Sequence, residues 1–295
     1  YLMNRADGDE YLGALLRDRR PGVRRRLLAT WTAGGNCLTP ARKRLFDALS
    51  QALDREYYDP ATGTARREEL KRLCMGEDSG VAWAKAYLAR GFPDRFTAVL
   101  GIFAELERRL ASGEVRSVHQ VACCSGREIA YYARLHPAVR FCGSDADPAV
   151  VSFLREHWRE IPNLSFEVLR LEAPDDPGFA AIASDLAYAS GGLHYLDPPS
   201  LRRFLSRARD TVATLLLSQP LDAGYAADRE RGSTPRRMLS WNHPYPTLLA
   251  ETGWQGIGWS ESTVAEIPGV TCSPAWADRS PAMPSTRPAG ERATA

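Results

Sequence analysis

Apolar positions over residues 9–112 recur at intervals of three and four, and the alternation of a half-buried strand is scarce. The pattern predicts helices throughout this stretch. In "TPARKRLFDALSQALDREYYD", Thr39 is a good N-cap and Pro40 a good first-turn residue, while Leu45, Phe46, Leu49 and Leu53 form one stripe. "DRFTAVLGIFAELERRLASG" repeats the logic, with Phe96, Leu100, Phe103, Leu106 and Leu110 on one side and Gly113 as the stop.

From Val115 the period changes to short apolar segments alternating with helical ones, which predicts a parallel sheet with helices on its faces. Strands are expected at 117–122, 139–144, 164–169, 184–189 and 212–218. The intervening helices should begin near Gly126, Pro148, Pro177 and Pro198. A polar loop over 222–237 and a helix over 245–252 precede two closely spaced strands, "WQGIGWS" and "TVAEIPGV", read as an antiparallel hairpin at a sheet edge. Residues 273–295 are rich in Pro, Ser, Thr, Ala and Arg, which predicts a disordered tail. The domain reading is therefore a helical lid or substrate subdomain over 1–112, an α/β domain over 113–272 and the tail.

Composition narrows this picture only slightly. The 295 residues carry a formal charge of +2, which calls for neither nucleic acid nor an anionic membrane surface. Basic runs such as "RDRRPGVRRR" lack interleaved aromatics and read as solvated helix faces. No apolar run reaches the roughly 18 residues of a membrane span, and the opening residues lack the apolar core of a secretory signal. Six scattered cysteines show no CxxC and no metal-ligand spacing, so no metal is expected, and free thiols in a reducing cytoplasm fit better than disulfides.

The chemistry concentrates at "VACCSGREIAYY". Ala122, Cys124 and Gly126 alternate in a turn between strand and helix, where small side chains let a ligand approach the backbone. Cysteine packs as a small hydrophobe, and the sequence offers Cys123 and Cys124 no local general base. Asp145 follows nineteen positions after Gly126, at the tip of the second strand, where a carboxylate can accept from both hydroxyls of an adenosine ribose.

These residues resemble the class I S-adenosylmethionine-dependent methyltransferases. "ACCSG" stands where that family has its GxGxG loop, and "GSDADP" where it has its acidic phrase. The likeness covers roughly 115–270, with a Rossmann-like, mostly parallel seven-stranded sheet, and leaves out the helical front. It implies S-adenosyl-L-methionine as cofactor, held by Gln120, Ala122, Cys123, Cys124, Ser125, Gly126, Arg127, Asp145, Ala146, Leu171, Glu172 and Ser190. The family's usual acid two positions before the first glycine is here Gln120, which brings no charge to the cofactor's ammonium; Arg127 or Glu128 stands nearby to contribute.

Tyr188, Ser190, Gly191 and His194, after the fourth strand, would face the sulfonium and the acceptor. His194 is the candidate general base and Tyr188 its companion, with packing as the competing role for both. His243, in "SWNHPYP", is a second candidate base. The other tyrosines, at 57, 58, 131, 132 and 195, fill a core or box a sulfonium. Methyl transfer to a small molecule is the expected activity, and a homodimer is compatible with the sequence. Aminocarboxypropyl transfer, cofactor cyclisation releasing methylthioadenosine, nicotinamide-dependent oxidoreduction and noncatalytic cofactor binding stand as alternatives.

Overall fold

The computed structural model describes residues 79–89, 91–93, 101–173, 176–222, 225, 232–236, 240–259, 262–263 and 270–279. The expected helix at 39–59, the tyrosines at 57 and 58, and the tail beyond 279 lie outside them.

Among the described residues two helices come first, α1 (Ser79–Leu88) and α2 (Ile102–Ala111). Phe96 and Leu100 of the expected stripe lie outside the described residues, and Gly101, at φ 65°, turns the chain into the second helix. Ile102, Phe103, Leu106 and Leu110 form its buried face. Then follow β1 (Ser117–Val121), α3 (Arg127–Leu135), β2 (Arg140–Asp145), α4 (Pro148–His157), β3 (Leu164–Val168), β4 (Ser184–Ser190), α5 (Pro198–Thr211) and β5 (Val212–Asp222). A 3-10 helix over Pro177–Ile182 precedes β4, and a shorter one over Leu193–Tyr195 follows it. Asp147 and Asp197 cap α4 and α5 by accepting backbone N–H bonds at 2.8 and 2.7 Å, each ahead of a first-turn proline.

The remainder is β6 (Thr234–Arg236), β7 (Ser240–Asn242), α6 (Tyr245–Glu251), β8 (Trp254–Trp259), β9 (Ser262–Thr263) and β10 (Val270–Arg279). Within the expected polar loop lies the start of a two-stranded ladder that pairs Thr234 with Asn242. The last strand departs from expectation. It is built from "VTCSPAWADR" rather than "TVAEIPGV", so residues 273–279 belong to the sheet and not to a tail.

The main sheet runs β3-β2-β1-β4-β5-β10-β8, with β10 antiparallel to both neighbours, β9 paired to β10, and β1 to β5 parallel. Strand order reverses between β1 and β4, so their carboxyl ends flank a crevice where open α/β sheets take ligands. Alternation along the strands splits the core. Ala187, Ala189, Leu215 and Leu217 pack towards α5 and α6, while Tyr188 and Leu216 pack towards α2, α3 and α4.

Candidate active site

The chain leaves β1 through three successive left-handed positions at every second residue: Ala122 at φ 53°, Cys124 at φ 48° and Gly126 at φ 63°. Two of them are not glycine, and a left-handed L-residue costs roughly 1–2 kcal/mol. The Cys123 N–H continues the β1–β2 ladder to the Ser144 carbonyl at 2.8 Å, and the Gly126 N–H returns to the Cys123 carbonyl at 2.8 Å. The loop is therefore closed by its own backbone before α3 begins.

Asp145 clamps it from β2. One carboxylate oxygen accepts from the Cys124 N–H at 3.0 Å and the other from the Asp147 N–H at 3.1 Å. Burial pushes the Asp145 carboxyl above its ordinary range, while these amide bonds hold it down. A carboxylate offers about four acceptor sites, so these amides leave capacity for a ribose hydroxyl. Ala146 beside it is exposed.

The residues of the loop do not all face the same way. Cys123 is buried among Ile129, Phe141 and Phe166, so its thiol belongs to the core and only its backbone joins the loop. Burial raises the Cys123 thiol well above the ordinary range and the Cys124 thiol to about 12, which removes both as thiolate nucleophiles. Ser125 is tied to Trp158, whose indole N–H donates to its carbonyl at 3.1 Å.

Arg127 also turns away from the crevice. Its guanidinium donates to the carbonyls of Tyr87 and Gly91 at the end of α1, lies over the Tyr87 ring at 5.4 Å and pairs with Glu128 at 3.1 Å. Gln120 Nε2 reaches Glu128 at 3.5 Å, and Gln120 Oε1 is buried without a hydrogen-bond partner. That orphaned acceptor, and the carboxylate eight positions along the chain, fit a bound group that brings N–H donors.

Across the switch point, Gln120 stands in register with Tyr188. Tyr188 does not line the mouth of the crevice as expected. It is fully buried and packs edge-on to Phe103 at 6.2 Å, because its place in the pleat points it at α2. Ser190, one pleat further, is half-buried at the end of β4. After it, Gly192 passes so close to Ala122 that a Cβ at 192 would lie 2.5 Å from the Ala122 Cβ. The turn bearing His194 thus rests on the β1 loop. His194 is 9% exposed, its ring against Tyr195 at 4.0 Å.

His243 is not a base. Its Nε2 meets the Leu196 carbonyl at 3.0 Å and its Nδ1 the Ser233 hydroxyl at 2.9 Å, so the neutral ring donates at one nitrogen and accepts at the other. Burial lowers it to about 4. It tethers the β6–β7 ladder to the turn after β4. Of the remaining candidates, Leu171 is buried beside Val121 and Ala189, Glu172 is half-buried and hydrogen bonded or otherwise engaged, and Tyr131 and Tyr132 pack with Phe92. Gln219, which sequence reasoning passed over, is fully buried under the His194 turn. Its signal was a polar pair, Ser218 and Gln219, ending the apolar run "TLLL".

Residues 118–214 match a family model described as a methyltransferase domain. Over that third of the chain the sequence is similar to a methyltransferase domain. The chain shares its fold with the CurJ carbon methyltransferase, at 16% identity over 88% of this chain and 80% of that one, with a TM-score of 0.51. It is also similar to the N-methyltransferase NodS from Bradyrhizobium japonicum WM9 in complex with S-adenosyl-L-homocysteine, at 15% identity over 67% of this chain and 100% of that one, TM-score 0.45. The N-terminal domain of EvdMO1 with SAH bound matches at 14% identity over 74% of this chain and 98% of that one, TM-score 0.48. This chain spans 40% of the longer EvdMO1 chain. No curated protein sequence matches it. No helix among the described residues is long and apolar enough to cross a membrane.

Proposed function

We propose that this protein moves the methyl group of S-adenosylmethionine to a small molecule held at the carboxyl ends of β1 and β4. The observation that carries the reading is the closure of the left-handed loop on Asp145, through the Cys124 N–H at 3.0 Å. It leaves acceptor capacity on the carboxylate for ribose hydroxyls, beside a loop of small residues that a nucleoside can approach. Gln120 Oε1 and Glu128 supply acceptors for the aminoacyl end.

The bound cofactor supplies an electrophilic methyl on a sulfonium, a leaving group already charged. The protein's part is alignment and exclusion of water. Helix α1 serves the second purpose. Gly80 lies so close to the α4 cap that a Cβ there would fall 2.2 Å from Asp147 Oδ2, and Arg127 grips the carbonyls at the other end of the helix. A crevice roofed in this way suits a small acceptor better than a polymer.

Calorimetric titration with S-adenosylmethionine and with NAD, followed by mass spectrometry of the turnover mixture, tests the proposal. Saturable binding of the first alone, with S-adenosylhomocysteine as the by-product, is the expected result. Release of methylthioadenosine would replace methyl transfer with chemistry on the aminocarboxypropyl arm.

A further inference from the structure

Arg127 opens α3 directly after Gly126, and only 4% of its side chain is exposed. Its guanidinium is shared between two elements. Nε donates to Glu128 Oε1 at 3.1 Å, while Nη1 donates to the carbonyls of Tyr87 and Gly91, at and just beyond the end of α1. The negative end of the helix dipole and the Tyr87 ring, 5.4 Å away, thus balance part of the Arg127 charge.

Glu128 in turn stands over the floor of the crevice. Gln120 Nε2 lies 3.5 Å from Glu128 Oε2, and Gln120 Oε1 is buried without a partner. Gln120 and Tyr188 are the last registered pair of the β1–β4 ladder, the point from which the two strands part. The Tyr188 hydroxyl is also buried without a partner. Burial raises its phenol well above the ordinary range and the Glu128 charge adds to this, so the carboxylate is within electrostatic reach of the pair. A carboxylate beside two unpartnered polar atoms suits an ammonium, which brings three N–H donors.

Arg127 decides how much of that carboxylate is available. Freed from α1, a nearly buried guanidinium would satisfy its donors on Glu128 as a bidentate pair and occupy the acceptors that an ammonium needs. With α1 docked, Nη1 turns to the helix carbonyls and Glu128 Oε2 stays with Gln120. We infer that Arg127 is a positioning residue that couples α1 to the methionine arm of the cofactor, so that docking of α1 and binding of the cofactor's ammonium at Glu128 favour each other. The inference rests on the methyl-transfer reading and adds to it a route by which the cofactor orders the helix roofing its own site. Such coupling is reciprocal, commonly about 5- to 150-fold.

Hydrogen exchange of the full chain, read by mass spectrometry in peptides spanning α1, tests the coupling. S-adenosylhomocysteine carries the ammonium, and methylthioadenosine is a nucleoside without that arm. At saturation the first should slow exchange in α1 by at least about fivefold, and the second should leave it unchanged. In Arg127→Met, which keeps an apolar stem and removes the guanidinium, S-adenosylhomocysteine should no longer slow it. Equal protection of α1 by the two nucleosides in the wild type would overturn the inference without recourse to a variant, and an undiminished effect in a folded Arg127→Met would overturn it as well. Calorimetric titration of the wild type with S-adenosylhomocysteine separates the two levels. Binding without protection of α1 sinks only the role of Arg127, and absence of binding sinks the methyl-transfer reading beneath it.

Discussion

Adding one methyl group at Gly126 tests the loop geometry directly. The residue is left-handed at φ 63°, and a Cβ built there would lie 2.8 and 2.9 Å from two carbons of the Phe166 ring and 3.3 Å from the Trp158 indole nitrogen. A left-handed alanine costs about 1–2 kcal/mol. Crowding a packed core adds about 1–3 kcal/mol. Reduced freedom of the unfolded chain returns about 0.4–1 kcal/mol. The net loss for Gly126→Ala is about 1–5 kcal/mol, a large part of the ~5–15 kcal/mol that holds a typical domain.

The lost stability would come with a displaced Trp158, which now donates to the Ser125 carbonyl, and so with a distorted nucleoside loop. Urea denaturation gives the first quantity, and titration with S-adenosylhomocysteine at a temperature where the variant is folded gives the second. Cys124→Gly is the contrasting variant. It relieves about 1–2 kcal/mol of backbone strain and restores about 0.5–1 kcal/mol of unfolded-chain freedom, so stability should change by under about 1 kcal/mol. A Gly126→Ala loss below about 1 kcal/mol, or a Cys124→Gly loss as large as that of Gly126→Ala, would refute the geometry.

Other consequences follow from the same contacts. Because burial holds the Cys123 and Cys124 thiols far above neutrality, iodoacetamide at pH 7.5 should label neither until the protein unfolds; rapid modification at native conditions would contradict their packing. His243 is depressed from 6.5 to about 4 in the folded chain, so the unfolded chain binds the extra proton between those values. Its contribution is intact above pH 6.5 and is lost as pH falls towards 4, by at most about 3 kcal/mol. The slope of stability between pH 6.5 and 4 should be shallower in His243→Gln, and an unaltered slope would show that the ring is not held neutral. Leu106→Ala, on the buried stripe of α2, should cost about 2–5 kcal/mol in the same denaturation assay while leaving the affinity for S-adenosylhomocysteine unchanged.

The strands and helices from β1 to β5 were legible in the sequence because apolar runs alternate with helical stretches, of which those at Pro148, Pro177 (a 3-10 helix) and Pro198 start on a proline behind a capping Asp. Asp147 and Asp197 announce their helices in the sequence as they do in the structure. The end of the sheet was not legible. "TVAEIPGV" is the more apolar run, and Pro274 reads as a strand breaker, yet Pro274 lies opposite Ser218 in a strand with neighbours on both sides. Pairing across the sheet decides that strand, and pairing is invisible to local pattern.

At the site, the small-residue loop and Asp145 could be read from spacing. The left-handed backbone of Ala122 and Cys124 could not, since nothing in either side chain requires it. Tyr188 shows how a single pleat separates a mouth residue from a core residue, a distinction that needs the register with Gln120 and Leu216. Arg127, His243 and Gln219 take their roles from partners 36, 47 and 25 positions away in the chain.

The central claim is that Asp145, clamping the loop after β1, holds the ribose of the cofactor. Each hydrogen bond from a hydroxyl to that carboxylate contributes about 1.5–3 kcal/mol, so losing both weakens binding by at least about a hundredfold. Calorimetric titration of wild type and folded Asp145→Ala with S-adenosylhomocysteine is the most direct measurement. The account predicts clear binding by the wild type and a loss of that size in the variant; equal affinities would contradict it.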